Sequence, residues 1–327
     1  MAVPAAAAIF SFPTEKRLVE WGWGWGWSGS SSSLVSWPSI RSQPNPLRAD
    51  GDGRPLTTNT ELFSLSVGAH LIPHPRKVDK GGEDAFLVSS HNGGVIAVAD
   101  GVSGWAERNV DPSLFSKELM ASALSFVADD EVNFDPRMLL KKAHAAIRSV
   151  GSATVTIAML QTDGVLKVAN LGDCGLKIIR RGLIIFSTTP QEHYFDCPFQ
   201  LSSETLSQTS LDAVLSTVQL MEKDIIVMGS DGLFDNVFDK EITSTVAECE
   251  DVSEAAKALA ELARTHSMDL AFDSPYSMEA RSRGFDVPFW KKLVGIRLTG
   301  GKLDDITVVV GRVVKMLNSL EGMADMD

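Results

Sequence analysis

VADGVSGW, residues 98–105, ends an apolar run (Val95, Ile96, Ala97, Val98, Ala99) on a bare carboxylate, Asp100, and Gly101 follows at once. The figure returns in IIVMGSDGLFDN, residues 225–236, where apolar residues 225–228 lead through Gly229 and Ser230 into Asp231 and Gly232. A third run, residues 306–310, starts directly after Asp304 and Asp305. Strands that are apolar at every position are buried on both faces. A lone Asp-Gly is an ordinary turn marker. Three core strands that each meet aspartate at one end predict something more: if they share a core, Asp100, Asp231 and Asp304 gather at one rim. Glu83 and Asp84, in KGGEDAF (80–86), stand just before another strand, AFLVS. Carboxylates gathered in this way repel one another unless they are protonated or bridged by cations. Their oxygen donors suit hard divalent ions, Mg²⁺ or Mn²⁺, and glycine after aspartate lets a backbone carbonyl turn toward such an ion.

The chain has 327 residues, 44% of them apolar, enough for a sizeable core, and 30 basic against 42 acidic side chains give a net charge of −12. No run of five like charges occurs, and the acidic balance does not mark a nucleic-acid surface. No apolar stretch reaches the ~18 residues of a membrane span. Three scattered cysteines, Cys174, Cys197 and Cys249, argue against a disulfide framework. Residues 1–50 differ from the rest: they are rich in Ala and Ser, with Lys16, Arg17, Arg41 and Arg48 against few acids, and they hold WGWGWGW. That composition is expected of an organelle transit peptide or disordered leader, with residues 51–59 as linker, one domain over 60–313 and a tail over 314–327.

Within the domain, Asp111-Pro112 and Asp135-Pro136 each supply an N-cap and a first-turn proline. They predict two helices, one burying Phe115, Leu119, Ala123 and Phe126, the other Leu139, Ala143, Ala146 and Val150. SATVTIAML, GVLKVANLG, CGLKIIRRG and LIIFSTT then read as an antiparallel meander. Asp251 and Glu254 are spaced as a capping box for a helix over 252–265. Residues 190–216 and 267–303 read as long irregular segments, of a length that tends to be functional. Helices in blocks among antiparallel strands make the class α+β.

GGEDAF, VADGVSGW, NLGDCGL, SDGLFDN and LDDITVVV resemble, in order and spacing, the signature blocks of metal-dependent serine/threonine protein phosphatases of the 2C type. The resemblance runs over residues ~60–313, and details such as HYFDCPFQL and GGKLDDIT are similar to the plant organellar branch. It implies a four-layer α-β-β-α sandwich of two antiparallel sheets flanked by helices, with a binuclear metal site at one end holding two Mn²⁺ or Mg²⁺. Asp100 would bridge both ions and the Gly101 carbonyl would bind the first. Glu83, Asp231 and Asp304 would serve the second, with Asp84 and Asp305 as supports, and Asp173 would share a third, weaker ion with Asp231. Asp100, Asp231 and Asp304 would then act through a metal-bound water that attacks phosphoserine or phosphothreonine directly. The branch further implies a chloroplast enzyme, a monomer of the stroma working at the thylakoid surface on photosystem II core phosphoproteins. A catalytically weak docking module, or a chloroplast phosphatase with another phosphoprotein substrate, are the alternatives.

Two positions depart from the pattern. The usual phosphate-binding arginine is replaced by Asp79, which leaves Lys80, Lys77 or Arg76 as candidates, with Lys80 preferred, and a usual histidine is replaced by Val102. The Cys-x5-Arg spacing of Cys174 and Arg180 lies on a strand rather than on the anion-cradling loop a cysteine phosphatase needs. His70 and His74, with Pro73 between them, make a poor zinc pair. Residues 281–297 form a basic patch (Arg281, Arg283, Lys291, Lys292, Arg297) interleaved with Phe285, Phe289 and Trp290. In that patch Lys291 and Lys292 are the candidates for substrate docking.

Overall fold

The computed structural model of this chain describes residues 7–9, 61–204, 208–288 and 295–316. Its strands fall into two large antiparallel sheets. The first runs β1 (Ala7–Ile9), β3 (Ala85–Ser89), β4 (Gly94–Gly101), β5 (Ser152–Leu160), β6 (Val165–Leu171) and β12 (Val214–Gln219), with β11 (Leu201–Ser202) on β5. The second runs β2 (Phe63–Ile72), β14 (Ile306–Lys315), β13 (Ile225–Gly229), β7 (Gly175–Arg180) and β8 (Leu183–Ser187). A small hairpin, β9 (Glu192–Tyr194) and β10 (Cys197–Pro198), stands apart from both. Helices α1 (Pro112–Phe126) and α2 (Pro136–Ala146) cover the first sheet, and α4 (Asp239–Glu248) and α5 (Val252–Met268) the second.

Three buried clusters fill the three gaps between these four layers, and the period-2 alternation of each strand assigns its residues. On β4, Val95, Ala97 and Ala99 face α1 and α2, while Ile96 and Val98 face the other sheet. On β13, Ile226 and Met228 point between the sheets and Val227 points to α5. On β14, Val309 and Val313 meet the first sheet, and Ile306, Val308 and Val310 pack on the α4–α5 layer. The all-apolar runs are therefore strands with both faces buried, and the expected α-β-β-α sandwich is what the chain forms.

The caps work as the residue types require. Asp111 accepts from the Ser113 N–H, Asp135 from Arg137 and Met138, and Asp251 from Ser253 and Glu254. Three readings need correction. Helix α2 stops at Ala146, because Ile147 turns extended (φ −68°, ψ 138°), so the buried face ends at Ala143 and Val150 is exposed. The meander is not continuous: β5 and β6 belong to one sheet, β7 and β8 to the other, and the chain crosses between them at residues 172–174. The two segments read as irregular are only partly so: 190–216 carries β9, β10, β11 and the start of β12, and 267–303 contains α6 (Pro275–Ser282), capped by the Ser274 side chain.

Among residues 1–50, read as a leader, Ala7–Ile9 pairs antiparallel with β3; the rest lies outside the described residues. The last strand runs to Lys315, two residues into the expected tail. Among the described residues no helix is long and apolar enough to cross a membrane.

Candidate active site

Asp100 is the penultimate residue of β4, opposite Thr154 of β5. Asp231 opens the short helix α3 (Asp231–Phe234) directly after β13, and Asp304 precedes β14. Sandwich packing brings these strand ends together: β14 runs antiparallel to β13, so the start of the one lies beside the end of the other. Two glycines make the approach close enough. A Cβ on Gly101 would stand 2.7 Å from the Glu83 carbonyl and 2.8 Å from that of Pro112, and a Cβ on Gly232 would collide with the Asp305 carbonyl. The crossing at residues 172–174 carries Asp173 to the same rim.

The electrostatics show that these acids feel one another. Burial, and then the charges on Asp84, Asp231, Asp304 and Asp173, push the Asp100 carboxyl well above its usual range. Burial followed by the Asp231 charge raises Asp173 to about 7 and Asp304 to about 7. Asp84, which burial and then Asp305 raise well above the ordinary value, accepts from the Thr307 hydroxyl at 2.7 Å. Asp231 is the exception: burial would raise it, but the Lys302 ammonium holds it low.

Among the described residues no three Asp, Glu, His or Cys side chains close into a ready-made cage. The donor set nonetheless fits a hard divalent cation. Asp84 Oδ1, Asp173 Oδ1 and Asp231 Oδ1 are buried without a hydrogen-bond partner, a condition that folded proteins rarely leave unexplained. All three are carboxylate oxygens, the donors that Mg²⁺ and Mn²⁺ prefer.

Two lysines share the site: Lys77, one of the phosphate-binding candidates, and Lys302, which sequence reasoning did not place there. Lys77 Nζ donates to Glu83 Oε2 at 2.7 Å, Ser103 Oγ at 3.0 Å and Asp305 Oδ2 at 3.1 Å. Lys302 Nζ lies 2.6 Å from Asp231 Oδ2, 3.0 Å from Asp235 Oδ2 and 3.2 Å from Asp196 Oδ1. The available signals were Lys302 two residues before Asp304 and Lys77 six before Glu83. Lys80, the preferred phosphate-binding candidate, is exposed and pairs instead with Asp111 at 3.6 Å; Lys77, another of the candidates, lies among the carboxylates. Asp305 is nearly inaccessible and fully engaged, accepting from the backbone N–H groups of His74 (2.7 Å) and Glu83 (3.0 Å) as well as from Lys77. It therefore ties the Glu83 loop to the start of β14, a supporting role.

The remaining candidates separate. Lys291 and Lys292 lie outside the described residues. In the same patch, Arg281 and Arg297 pair with Asp273, and Arg283 pairs with Glu279 and Glu192, so these arginines are already neutralised. Arg180 forks onto Asp224 (2.6 and 2.9 Å), far from the geometry of a cysteine phosphatase. Cys174 is buried, and burial, with Asp100 next, pushes its thiol well up. Since only the thiolate is reactive, iodoacetamide is expected to leave turnover unchanged, and Cys174→Ala to retain most of it. Rapid loss of activity with alkylation of Cys174, read by mass spectrometry, would refute this.

A two-sheet sandwich whose strand ends gather carboxylates for divalent ions is the architecture of a metal-dependent phosphohydrolase. No family model matches the chain, but individual relatives do. It is 68% identical over 249 residues to the probable protein phosphatase 2C 1 of Oryza sativa subsp. japonica, spanning 76% of this chain and 75% of that one. It is 61% identical over 285 residues to the probable protein phosphatase 2C 26 of Arabidopsis thaliana, spanning 85% and 95%. The chain belongs to the protein phosphatase 2C family: it is a metal-dependent serine/threonine protein phosphatase, and its substrates are phosphoproteins. Among solved structures it is similar to the photosystem II phosphatase PBCP, at 66% identity and TM-score 0.75 over 78% of this chain and 100% of that one. The catalytic domain of the phosphatase PstP, solved with two manganese ions, shares the fold at TM-score 0.54 and 20% identity, over 77% of this chain and 99% of that one.

Proposed function

We propose that this phosphatase acts on phosphothreonine and phosphoserine of photosystem II core proteins, in the chloroplast, at the stromal face of the thylakoid. The observation that carries the reading is the 66% identity to a photosystem II phosphatase over the whole of that chain. The transit-peptide composition of residues 1–50 supports the compartment.

In this reading Asp100, the Gly101 carbonyl, Glu83, Asp231 and Asp304 would hold two Mn²⁺ or Mg²⁺ ions, and Asp173 with Asp231 would hold a third. Bound there, the ions supply an activated water and neutralise charge on the phosphoryl group. The protein's own groups position and screen. Thr307 holds one oxygen of Asp84 and leaves the other buried without a partner, and Ser103 and Lys77 both donate to Glu83 Oε2. Lys77 offsets the charge of Glu83 and Asp305.

The test uses the full chain with Mn²⁺ on phosphorylated thylakoid membranes. Phosphate on photosystem II core subunits is expected to disappear about tenfold faster than on light-harvesting proteins, a preference of about 1.4 kcal/mol. Equal rates on both, with normal hydrolysis of a generic phosphopeptide, would leave the phosphatase and remove the substrate.

A further inference from the structure

Lys302 is bonded more elaborately than a surface lysine. Its backbone is bracketed by Asn236, a fully buried side chain: the Lys302 N–H donates to Asn236 Oδ1 (2.9 Å), and Asn236 Nδ2 donates to the Lys302 carbonyl (2.8 Å). The same Nδ2 donates to the carbonyl of Gly232 (2.9 Å), one residue after Asp231. The lysine is thus fixed relative to α3 before its side chain is considered. Its ammonium then spans two separate elements, reaching Asp231 and Asp235 of the α3 segment and Asp196 at the tip of the β9–β10 hairpin.

Tyr276 of α6 covers this junction. Its ring centroid lies 5.3 Å from Lys302 Nζ and its hydroxyl donates to Asp196 Oδ2 at 3.3 Å. Phe195 stacks between Tyr276 (5.4 Å) and Phe285 (5.1 Å), and Glu192 pairs with Arg283. The hairpin is therefore held down over a cleft of about 310 Å³ that opens beside Asp173 and Asp231. Lys302 also decides which oxygen of Asp231 is free: Oδ2 is taken by the ammonium, and Oδ1 is left buried and unpartnered.

We propose that Lys302 is a positioning residue that acts as a built-in cation: it takes a corner that a divalent ion would otherwise fill, aims Asp231, and latches the hairpin that walls the substrate cleft. The proposal rests on the two-metal reading of the rim. One ammonium offsets part of the charge of the three carboxylates around it; removing it leaves them uncompensated, which is costly. Arginine preserves the charge and methionine preserves the apolar stem without it.

The experiment compares the wild type, Lys302→Met and Lys302→Arg as full-length proteins. In Lys302→Met, amide exchange over residues 192–198 is expected to quicken by about tenfold, equivalent to about 1.4 kcal/mol of local stability. Calorimetric titration with Mn²⁺ is expected to show one additional ion bound, because the freed carboxylates now recruit a metal. KM for a phosphopeptide rises more than kcat falls, and Lys302→Arg restores hairpin protection and ion count. Wild-type exchange together with the wild-type ion count in Lys302→Met overturns the proposal while leaving the phosphatase intact. Absence of Mn²⁺-dependent activity in the wild type would instead overturn the reading beneath it. If Lys302→Met fails to melt cooperatively, Asp196→Asn removes the latch alone. The hairpin must then exchange faster with Asp231 still paired, and unchanged protection there also overturns the latch.

Discussion

Asp231→Asn and Asp100→Asn each reduce phosphatase activity by at least ~10², since even groups that only orient a metal ligand are worth 10- to 100-fold. The fold survives both changes. Asp100 sits where burial and four neighbouring carboxylates make ionisation costly, so a neutral amide of the same shape relieves repulsion in the metal-free protein. Without added metal, the melting temperature of Asp100→Asn is therefore expected to equal or exceed that of the wild type. With Mn²⁺ the order reverses: an ion at 100 times its dissociation constant stabilises the wild type by about 2.7 kcal/mol, and the variant forfeits most of that gain. Parallel measurement of turnover and of calorimetric melting with and without Mn²⁺ separates lost chemistry from lost folding. Substantial turnover by both variants at saturating Mn²⁺ would end the two-metal assignment.

Chelation with EDTA abolishes turnover and Mn²⁺ restores it, and the metal-free protein becomes less stable as the pH rises. The sign follows from the raised carboxyls. Asp173 and Asp304 stand at about 7 in the folded chain, against about 3.9 when unfolded. Below about pH 4 both states hold these protons and the contribution to stability is full. Above it the unfolded chain releases them while the folded chain keeps them, so stability drains away until the pH has passed through about 7. Mn²⁺ reverses the trend, because deprotonated ligands bind it better as the pH rises. Calorimetry in EDTA from about pH 5.5 to about pH 8 reads the slope directly, and Asp304→Asn should flatten it by one group's share. An equal slope in that variant, or activity that persists in EDTA, would contradict the arrangement.

Much of this was legible in the residues. Apolar runs without alternation pointed to strands buried twice over, and Asp-Pro pairs to helices opening at Asp111 and Asp135. Aspartates gathered at strand ends must be protonated or share a cation. These are local facts: each depends on a side chain and its neighbours within a few positions. Where the local signal stopped, so did the reading. The face of α2 was carried too far because nothing in the period shows that Ile147 turns extended. Helix α6 was hidden because its first-turn Pro275 and Ser274 cap sit in a polar stretch with a weak apolar stripe.

By itself, then, the sequence determined the core strands, the caps, the acids and their order, and with them the family, but not the short strands of residues 190–216. Only the tertiary structure decided which sheet each strand joined. Alternation with period 2 is identical on either side of the crossing at residues 172–174, so the pattern alone could not show that β7 leaves β6 for β13. The same holds for the cations of the site. Lys80 and Lys77 stand three residues apart and look equivalent in sequence, yet one pairs with Asp111 at the surface and the other with Glu83 and Asp305. Lys302 meets Asp231 across 71 positions and Asp196 across more than a hundred. Charge attraction acts through space, and only the folded chain sets those distances.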